Sequence, residues 1–337
     1  MWRLIGILVT VLFAVAAAVV TWPQFFRLER TYPLAQIVSL RGFVVVAFAI
    51  IAVIALLFTL TRSLRGFAAS IAIVSVVAAL ANVAVFALRG TGADHLPEQT
   101  ATSLRVMTWN TAGEATSPEE IARTAVATGA DIVSLPETTE DTGTAVAVAM
   151  RDLGQPMWVH NAFYPGWDAL STTILISPEL GDYSVIESSK NGSSNTSTVP
   201  SAVAMPIAGD GPIVVAVHAV APRPDYMERW RGDLQWLADQ CIDDHVILAG
   251  DFNATVDNMA GLGTEGGTLG QCTDAAAATG NGAVGTWPTD LPSLLGAPID
   301  HVMVAKGYEA TGSLVLGSKD DTGSDHRPLI VQLEPVG

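Results

Sequence analysis

Three long runs without a charged residue occupy the start of the chain: 4–22 (LIGILVTVLFAVAAAVVTW), 42–60 (GFVVVAFAIIAVIALLFTL) and 67–88 (FAASIAIVSVVAALANVAVFAL). Each is about as long as a helix needs to cross a hydrocarbon layer, roughly 20 residues. A soluble helix of that length hides one face and shows water the other, so it carries a polar stripe; these runs carry none. A cleaved leader would fit Met1–Arg3 and the first run taken alone. It does not fit a second run that begins at residue 42 with no small-residue cleavage site leading into a soluble domain. Residues 1–88 are therefore expected to form a three-helix transmembrane anchor, with a lipid bilayer as partner through residues 4–88.

Charge divides the chain at the same place. Of 17 basic residues, seven, all Arg, fall within 1–90, and of 33 acidic residues one, Glu29, does. Residues 91–337 thus hold ten basic and 32 acidic side chains, a formal charge of −22. Such a field repels polyanions, so a broad groove for duplex DNA is not suggested, and nucleic acid is a possible but not a favoured partner. A small or lipid-borne phosphate ester is easier to accommodate, since bound cations reverse the field locally.

Sidedness does not follow from the flanking charges. Arg3, Arg62 and Arg65 lie on one side and Arg27, Arg30, Arg41 and Arg89 on the other. The scarcity of Lys and the abundance of Ser, Thr, Gly and Asn favour an extracytoplasmic catalytic part. The only cysteines, Cys241 and Cys272, fit two readings, a disulfide in an oxidising compartment or two buried thiols. Oligomeric state has no signature here.

Residues 89–103 (RGTGADHLPEQTATS) read as a short linker. From 104 to 337 short β-type runs alternate with helical stretches, which predicts an α/β domain. Strands are expected at 104–109, 131–135, 171–177, 201–207, 212–219, 245–250, 299–304 and 328–333. A helix should begin at Pro118, with Ser117 as N-cap and Glu120 completing a capping box. Met227, Trp230, Leu234 and Leu237 form a core-facing stripe on a helix over 225–240. The segment 188–199 is a polar loop or exposed edge.

Polar residues stand where apolar strands stop: Asn110, Glu137, His218, Asp251 with Asn253, Asp300 with His301, and Asp325 with His326. Singly, each has an ordinary explanation as a turn cap, a helix start or a satisfied core histidine. Together they make a donor set suited to phosphoester chemistry. Oxygen ligands hold Mg2+ or Mn2+, an imidazole or carboxylate handles the water proton, and neutral donors meet the phosphoryl oxygens.

The motifs TWNTAG (108–113), DIVSLPET (131–138), VVAVHAVAP (214–222), ILAGDFNAT (247–255), PIDHVMV (298–304) and SDHRPL (324–329) occur in an order that resembles the endonuclease/exonuclease/phosphatase superfamily. The resemblance covers residues 104–337, and GDFN and SDHRP are its most specific parts. It implies a four-layer α/β/β/α sandwich of two mostly antiparallel sheets. By position it implies Glu137 as principal metal ligand, with Asn110 and Asp325 contributing, and His326 as catalytic imidazole oriented by Asp300. Asp251 would position or deprotonate the attacking water, and Asn253 and His218 would contact the scissile phosphate.

Pro136 stands where the family commonly has Gln, and no counterpart is evident for the tyrosine that some nuclease members use, Tyr164 and Tyr226 being candidates. Arg223 could grip an anionic group and Trp287 could stand at the pocket rim, both as substrate contacts; a solvated helix start and a core indole are the ordinary alternatives. The expected function is a membrane-anchored, metal-dependent phosphoesterase. The alternatives are an extracellular DNase-like nuclease and a catalytically silent ligand-binding relative.

Overall fold

The computed structural model describes residues 2–92, 96–166, 168–187, 192–209 and 211–336, and divides into two compact units, Met1–Leu88 and Arg89–Gly337. Part of the expected polar loop, 188–191, lies outside the described residues, as do 93–95 of the expected linker.

In the first unit, helices α1 (Trp2–Thr21), α2 (Leu34–Ser39), α3 (Arg41–Phe58) and α4 (Arg65–Arg89) are apolar on nearly every face. Leu4, Leu12, Leu57 and Leu80 all turn more than half of their surface outward. Three of these helices are candidate membrane spans by length and composition: Arg3–Thr21, Arg41–Phe58 and Arg65–Arg89. A small core of Ala17, Val44, Phe48 and Ala78 sits between them. The buried Arg41 donates to Asn82 Oδ1 at 2.6 Å and to the Thr21 carbonyl at 3.0 Å. Hydrogen bonding between helices is what an apolar solvent demands of buried polar side chains.

The second unit contains β1 (Leu104–Thr108), α5 (Pro118–Thr128), β2 (Ile132–Pro136), α6 (Glu140–Asp152), β3 (Trp158–Phe163), β4 (Ser171–Ile176), β5 (Tyr183–Ile186), β6 (Ala202–Pro206) and β7 (Ile213–His218). It continues with α7 (Met227–Gln240), β8 (Val246–Asp251), β9 (Thr273–Asp274), α8 (Ala275–Ala278), β10 (Asp300–Val304), β11 (Tyr308–Val315) and β12 (Leu329–Pro335). The strands form two six-stranded sheets, ordered β11-β12-β1-β2-β4-β3 and β5-β6-β7-β8-β10-β9. Pairing is antiparallel except at β1/β2 and β7/β8, near the middle of each sheet.

Side chains in a strand alternate between faces, so each central strand serves two layers. Leu104, Val106, Ile132, Ile174, Val214, Ala216, Ile247, Ala249, Val302 and Leu329 fill the space between the sheets. The opposite parity, Met107, Val133, Leu135, Leu175 and Ile330, meets Ile121, Ala125, Val146 and Met150 of α5 and α6 on the outer face. The four-layer expectation is met.

Ser117 caps α5 through its Oγ, which accepts from the Glu120 amide, and Gly129 ends the helix in the left-handed region. All four predicted stripe residues of α7 are buried; its first turn is a 3-10 segment, Pro224–Tyr226, and the α-helix starts at Met227. Cys241 and Cys272 are bridged, with Cα atoms 5.8 Å apart. The linker residues near β1 are held against the domain rather than loose: Ser103 and Thr100 bond Glu334, and the Pro97 carbonyl accepts from Arg105 at 2.5 Å.

Candidate active site

Strand parity carries the inter-sheet stripe directly into the polar cluster. Continuing by twos from Val214 and Ala216 reaches His218, from Ile247 and Ala249 reaches Asp251, and back from Val302 reaches Asp300. Register then aligns them, because His218 faces Asp251 across the parallel β7/β8 pair and Asp251 faces Asp300 across β8/β10. Gly250 makes this close approach possible: its φ is 156°, and a Cβ there would overlap the Val217 backbone.

Sheet one contributes Asn110 and Glu137 from just past β1 and β2. Asn110 Oδ1 accepts from the Ala112 amide at 2.9 Å, an Asx turn that fixes the side chain. Its Nδ2 donates to Glu137 Oε1 and to Asp251 Oδ2, 3.1 Å each, and so joins the two sheets at the site. Glu137 is held at φ 57°, a backbone conformation uncommon for a non-glycine residue and frequent at functional positions. The preceding Pro136 lacks only its donor; its carbonyl still accepts from Thr111 N at 3.2 Å.

Asp251 Oδ1 accepts from the Asn253 amide at 2.8 Å, and Asn253 Nδ2 donates to Asp251 Oδ2 and to the Ala219 carbonyl. His326 Nδ1 lies 2.8 Å from Asp300 Oδ2, while its Nε2 is 3.9 Å from Asp251 Oδ2 and 4.0 Å from Asp325 Oδ1. Ligand-type atoms of Asp251, Asp300 and His326 lie within 4.8 Å of one another. His218 Nε2 is 3.8 Å from Glu137 Oε1. Two buried atoms, His218 Nδ1 and Asp300 Oδ1, have no hydrogen-bond partner.

Four carboxylates converge here around one strongly basic imidazole. Burial, then the neighbouring Asp300, pushes the Asp251 carboxyl up to about 7. Burial also raises Glu137, against the Asn110 hydrogen bond. For His326, burial would lower the ring, but Asp300 and then Asp251 outweigh it and bring it to about 10, so the imidazolium is the resting form. Burial and the His326 charge push His218 down to about 3, which keeps it neutral.

A cleft of about 330 Å³ opens beside this cluster, with Glu137, His218 and Asn253 at its inner end and Arg223 and Tyr226 on the following loop. Arg223 is exposed there. Trp287 is only partly exposed, and its Nε1 donates to Asp325 Oδ2 at 2.8 Å. Tyr164 donates to the Thr196 carbonyl instead of facing the carboxylates. His301, adjacent to Asp300, has the opposite parity and leaves the site; its ring bonds Asp274 and the Ala254 carbonyl, both at 2.9 Å.

Three supporting residues carried little or no signal of their own. Ser324 donates to the Asn110 carbonyl at 2.6 Å and accepts from the His326 amide, joining the SDHRP loop to β1. Arg327 is buried and holds the 285–291 loop through the carbonyls of Gly285, Thr289 and Leu291 together with Asp320. Both sit inside the SDHRP motif, which was the available hint. Asp233 lies on the buried face of α7, three residues after Trp230 and four before Leu237, and only that spacing marks it.

Residues 107–326 match the model of a family described as Endonuclease/Exonuclease/phosphatase family. The chain is similar in structure to an endonuclease/exonuclease/phosphatase from Beutenbergia cavernae, with 18% identity, 70% of this chain and 72% of that one covered, and a TM-score of 0.53. It is similar to a family protein from Leptotrichia buccalis, at 13% identity, 68% and 99% coverage and a TM-score of 0.53. Humanized D. rerio TDP2 is also similar, at 17% identity, 69% and 100% coverage and a TM-score of 0.51. At these identities the likeness concerns the fold. No curated protein matches the chain.

Proposed function

This chain belongs to the endonuclease/exonuclease/phosphatase family, and from that premise we propose that it is a divalent-metal-dependent phosphoesterase, anchored in a membrane by residues 4–88, with the domain 104–337 on the extracytoplasmic side. The observation that carries the reading is the convergence of Asn110, Glu137, Asp251, Asn253, Asp300 and His326 from both sheets at one end of the inter-sheet core. The bridged cysteines and the three apolar helices support the placement.

The donor set fits Mg2+ or Mn2+. Glu137 and Asp325 offer partly exposed hard oxygens, and the crowding of carboxylates around a single imidazolium is a repulsion that a divalent cation relieves. Bound there, the cation would act as a Lewis acid toward the phosphoryl oxygens. Glu137 and Asp325 would hold it, with Asn110 fixing the Glu137 carboxylate.

The remaining steps belong to the chain's own groups. Asp251, with its carboxyl near neutrality, orients the attacking water and takes its proton as the new P–O bond forms. Asn253 and neutral His218 donate to the phosphoryl oxygens. His326, already protonated and held by Asp300, stabilises the charge and supplies a proton to the departing oxygen as its bond to phosphorus breaks. A small ester is favoured over duplex nucleic acid by the −22 charge of residues 91–337.

Hydrolysis of bis-p-nitrophenyl phosphate and p-nitrophenyl phosphate by the full chain in detergent, with Mg2+, Mn2+ or EDTA, tests this. Metal-dependent release lost in Glu137→Ala and His326→Ala is expected. Metal-independent release, or unchanged activity in both variants, would overturn the assignment.

A further inference from the structure

The cleft beside the reaction centre is built by loops that share a single buried anchor. Asp233 Oδ1 accepts from the Ser197 amide at 2.7 Å and Oδ2 accepts from the Val220 amide at 3.0 Å. One carboxylate thereby ties the segment that carries Thr198 and Val199 to the segment that carries Val220 and Ala221, and both segments line the cleft. Burial raises the Asp233 carboxyl and the two amides oppose this. Tyr164 donates to the Thr196 carbonyl at 2.8 Å and so adds a second tie to the segment that precedes Thr198.

The lining is chemically uneven. Leu170, Val199, Val220 and Ala221 present apolar surface, whereas Arg223 is the one guanidinium. Arg223 is exposed and, among the described residues, has no carboxylate within ion-pair distance. The next cation along, Arg229, is spoken for, its guanidinium lying 5.5 Å from the centroid of the Tyr226 ring. A guanidinium without a carboxylate partner among the described residues stands out where the surrounding domain carries a formal charge of −22. A fork of donors beside an apolar stretch of the lining matches a planar or tetrahedral oxyanion on an apolar body.

We propose that this cleft is a preformed subsite for the non-reacting arm of a small phosphate ester, an arm with a compact apolar body that bears a second anionic group paired with Arg223. Asp233 acts as a positioning residue that sets the spacing of the two lining segments. The inference rests on the phosphoesterase reading and names the substrate class of the same site. It also accounts for an acidic domain acting on an anionic substrate: the local cation, not the net charge, meets the ligand.

The test uses two non-hydrolysable probes, phenylphosphonate and 4-carboxyphenylphosphonate, titrated by calorimetry into the full chain in detergent with Mn2+. The carboxylate should tighten binding about fivefold to tenfold in the wild type, the size expected of one partly solvated bidentate pair. In Arg223→Gln the ratio of the two affinities should fall to about one, in Arg223→Lys it should be intermediate, and in Arg231→Gln, which removes an equal charge on α7 outside the cleft lining, it should persist. Asp233→Asn should weaken both probes by a similar factor. A ratio near one in the wild type, or a ratio unaffected by Arg223→Gln, overturns the subsite. Failure of the phosphoesterase reading is distinguishable, because it appears as absent hydrolysis of the nitrophenyl esters, whereas the affinity ratio is read without turnover.

Discussion

The indole Nε1 of Trp287 donates to Asp325 Oδ2 at 2.8 Å, and the loop that carries Trp287 is itself held by the Arg327 guanidinium two residues beyond Asp325. The indole expected at the pocket rim is thus placed to orient a proposed metal ligand. Trp287→Phe keeps the ring and removes the donor. The Mn2+ concentration for half-maximal activity should rise about tenfold, the lower end of what loss of such an outer partner costs. On an Asp325→Asn background the same change should add little; equal increments on both backgrounds would show that Trp287 acts elsewhere.

Asp300 and His326 form a buried side-chain pair, 2.8 Å between Oδ2 and Nδ1. Asp300→Asn removes the charge that keeps the ring protonated and leaves the shape. We expect kcat to fall about 100-fold or more, the usual weight of a positioned proton donor. The double variant with His326→Ala should be no worse than His326→Ala alone, since the two act as one unit. Steady-state kinetics on bis-p-nitrophenyl phosphate will show whether the losses instead multiply.

Cys241 and Cys272 close a loop across a sequence separation of 31. Intact mass after alkylation without reductant should show no labelled cysteine. Replacing both with Ser should cost about 3 kcal/mol of stability through the freed unfolded chain. Two labels on the untreated protein would refute the bridge and remove one support for an exported domain.

Behind the site, His301 and Asp274 are a buried pair. Burial alone would raise Asp274 and lower His301, yet each partner reverses the other's shift, so Asp274 titrates below its usual 3.8 and His301 above its usual 6.5. A lowered carboxyl stabilises the fold above its unfolded pKa and loses that as pH falls through the folded value; a raised imidazole does so below 6.5 and loses it as pH rises. The pair's contribution is therefore full between the two ordinary values and declines on either side. His301→Gln should lower Tm at pH 6, by an amount equivalent to about 3 kcal/mol, and flatten the decline that sets in above the ordinary imidazole value. An unchanged slope would mean that His301 is neutral in the fold.

Much of this architecture was legible in the residues. The eight expected strands appear within a residue or two of their predicted ends, because each is a run of apolar β-formers bounded by turn residues. Strands β3, β5, β9 and β11 were not expected. β3 and β5 lie at sheet edges, where one face meets water and the alternation weakens, and β11 is broken by a register shift at Ala310/Gly312. Helix α6 (EDTGTAVAVAMRD) is hinted at only by the helix start read after Glu137, because Thr, Gly and Val are weak helix formers, and packing against α5 and sheet one decides its state.

Local chemistry in the sequence determined the apolar anchor runs, the strand order of polar residues and the identity of the clustered donors. Tertiary structure alone decided which donors meet. Parity along a strand turns Asp300 inward and sends its neighbour His301 to the opposite face, and register across β7, β8 and β10 puts His218, Asp251 and Asp300 in one row. Likewise only the folded chain brings Trp287 to Asp325 and ties Ser197 and Val220 to Asp233. Periodicity and propensity are properties of neighbouring residues, whereas the contacts that set charge, orientation and cleft shape join segments far apart, and their positions are fixed by the packing of the two sheets.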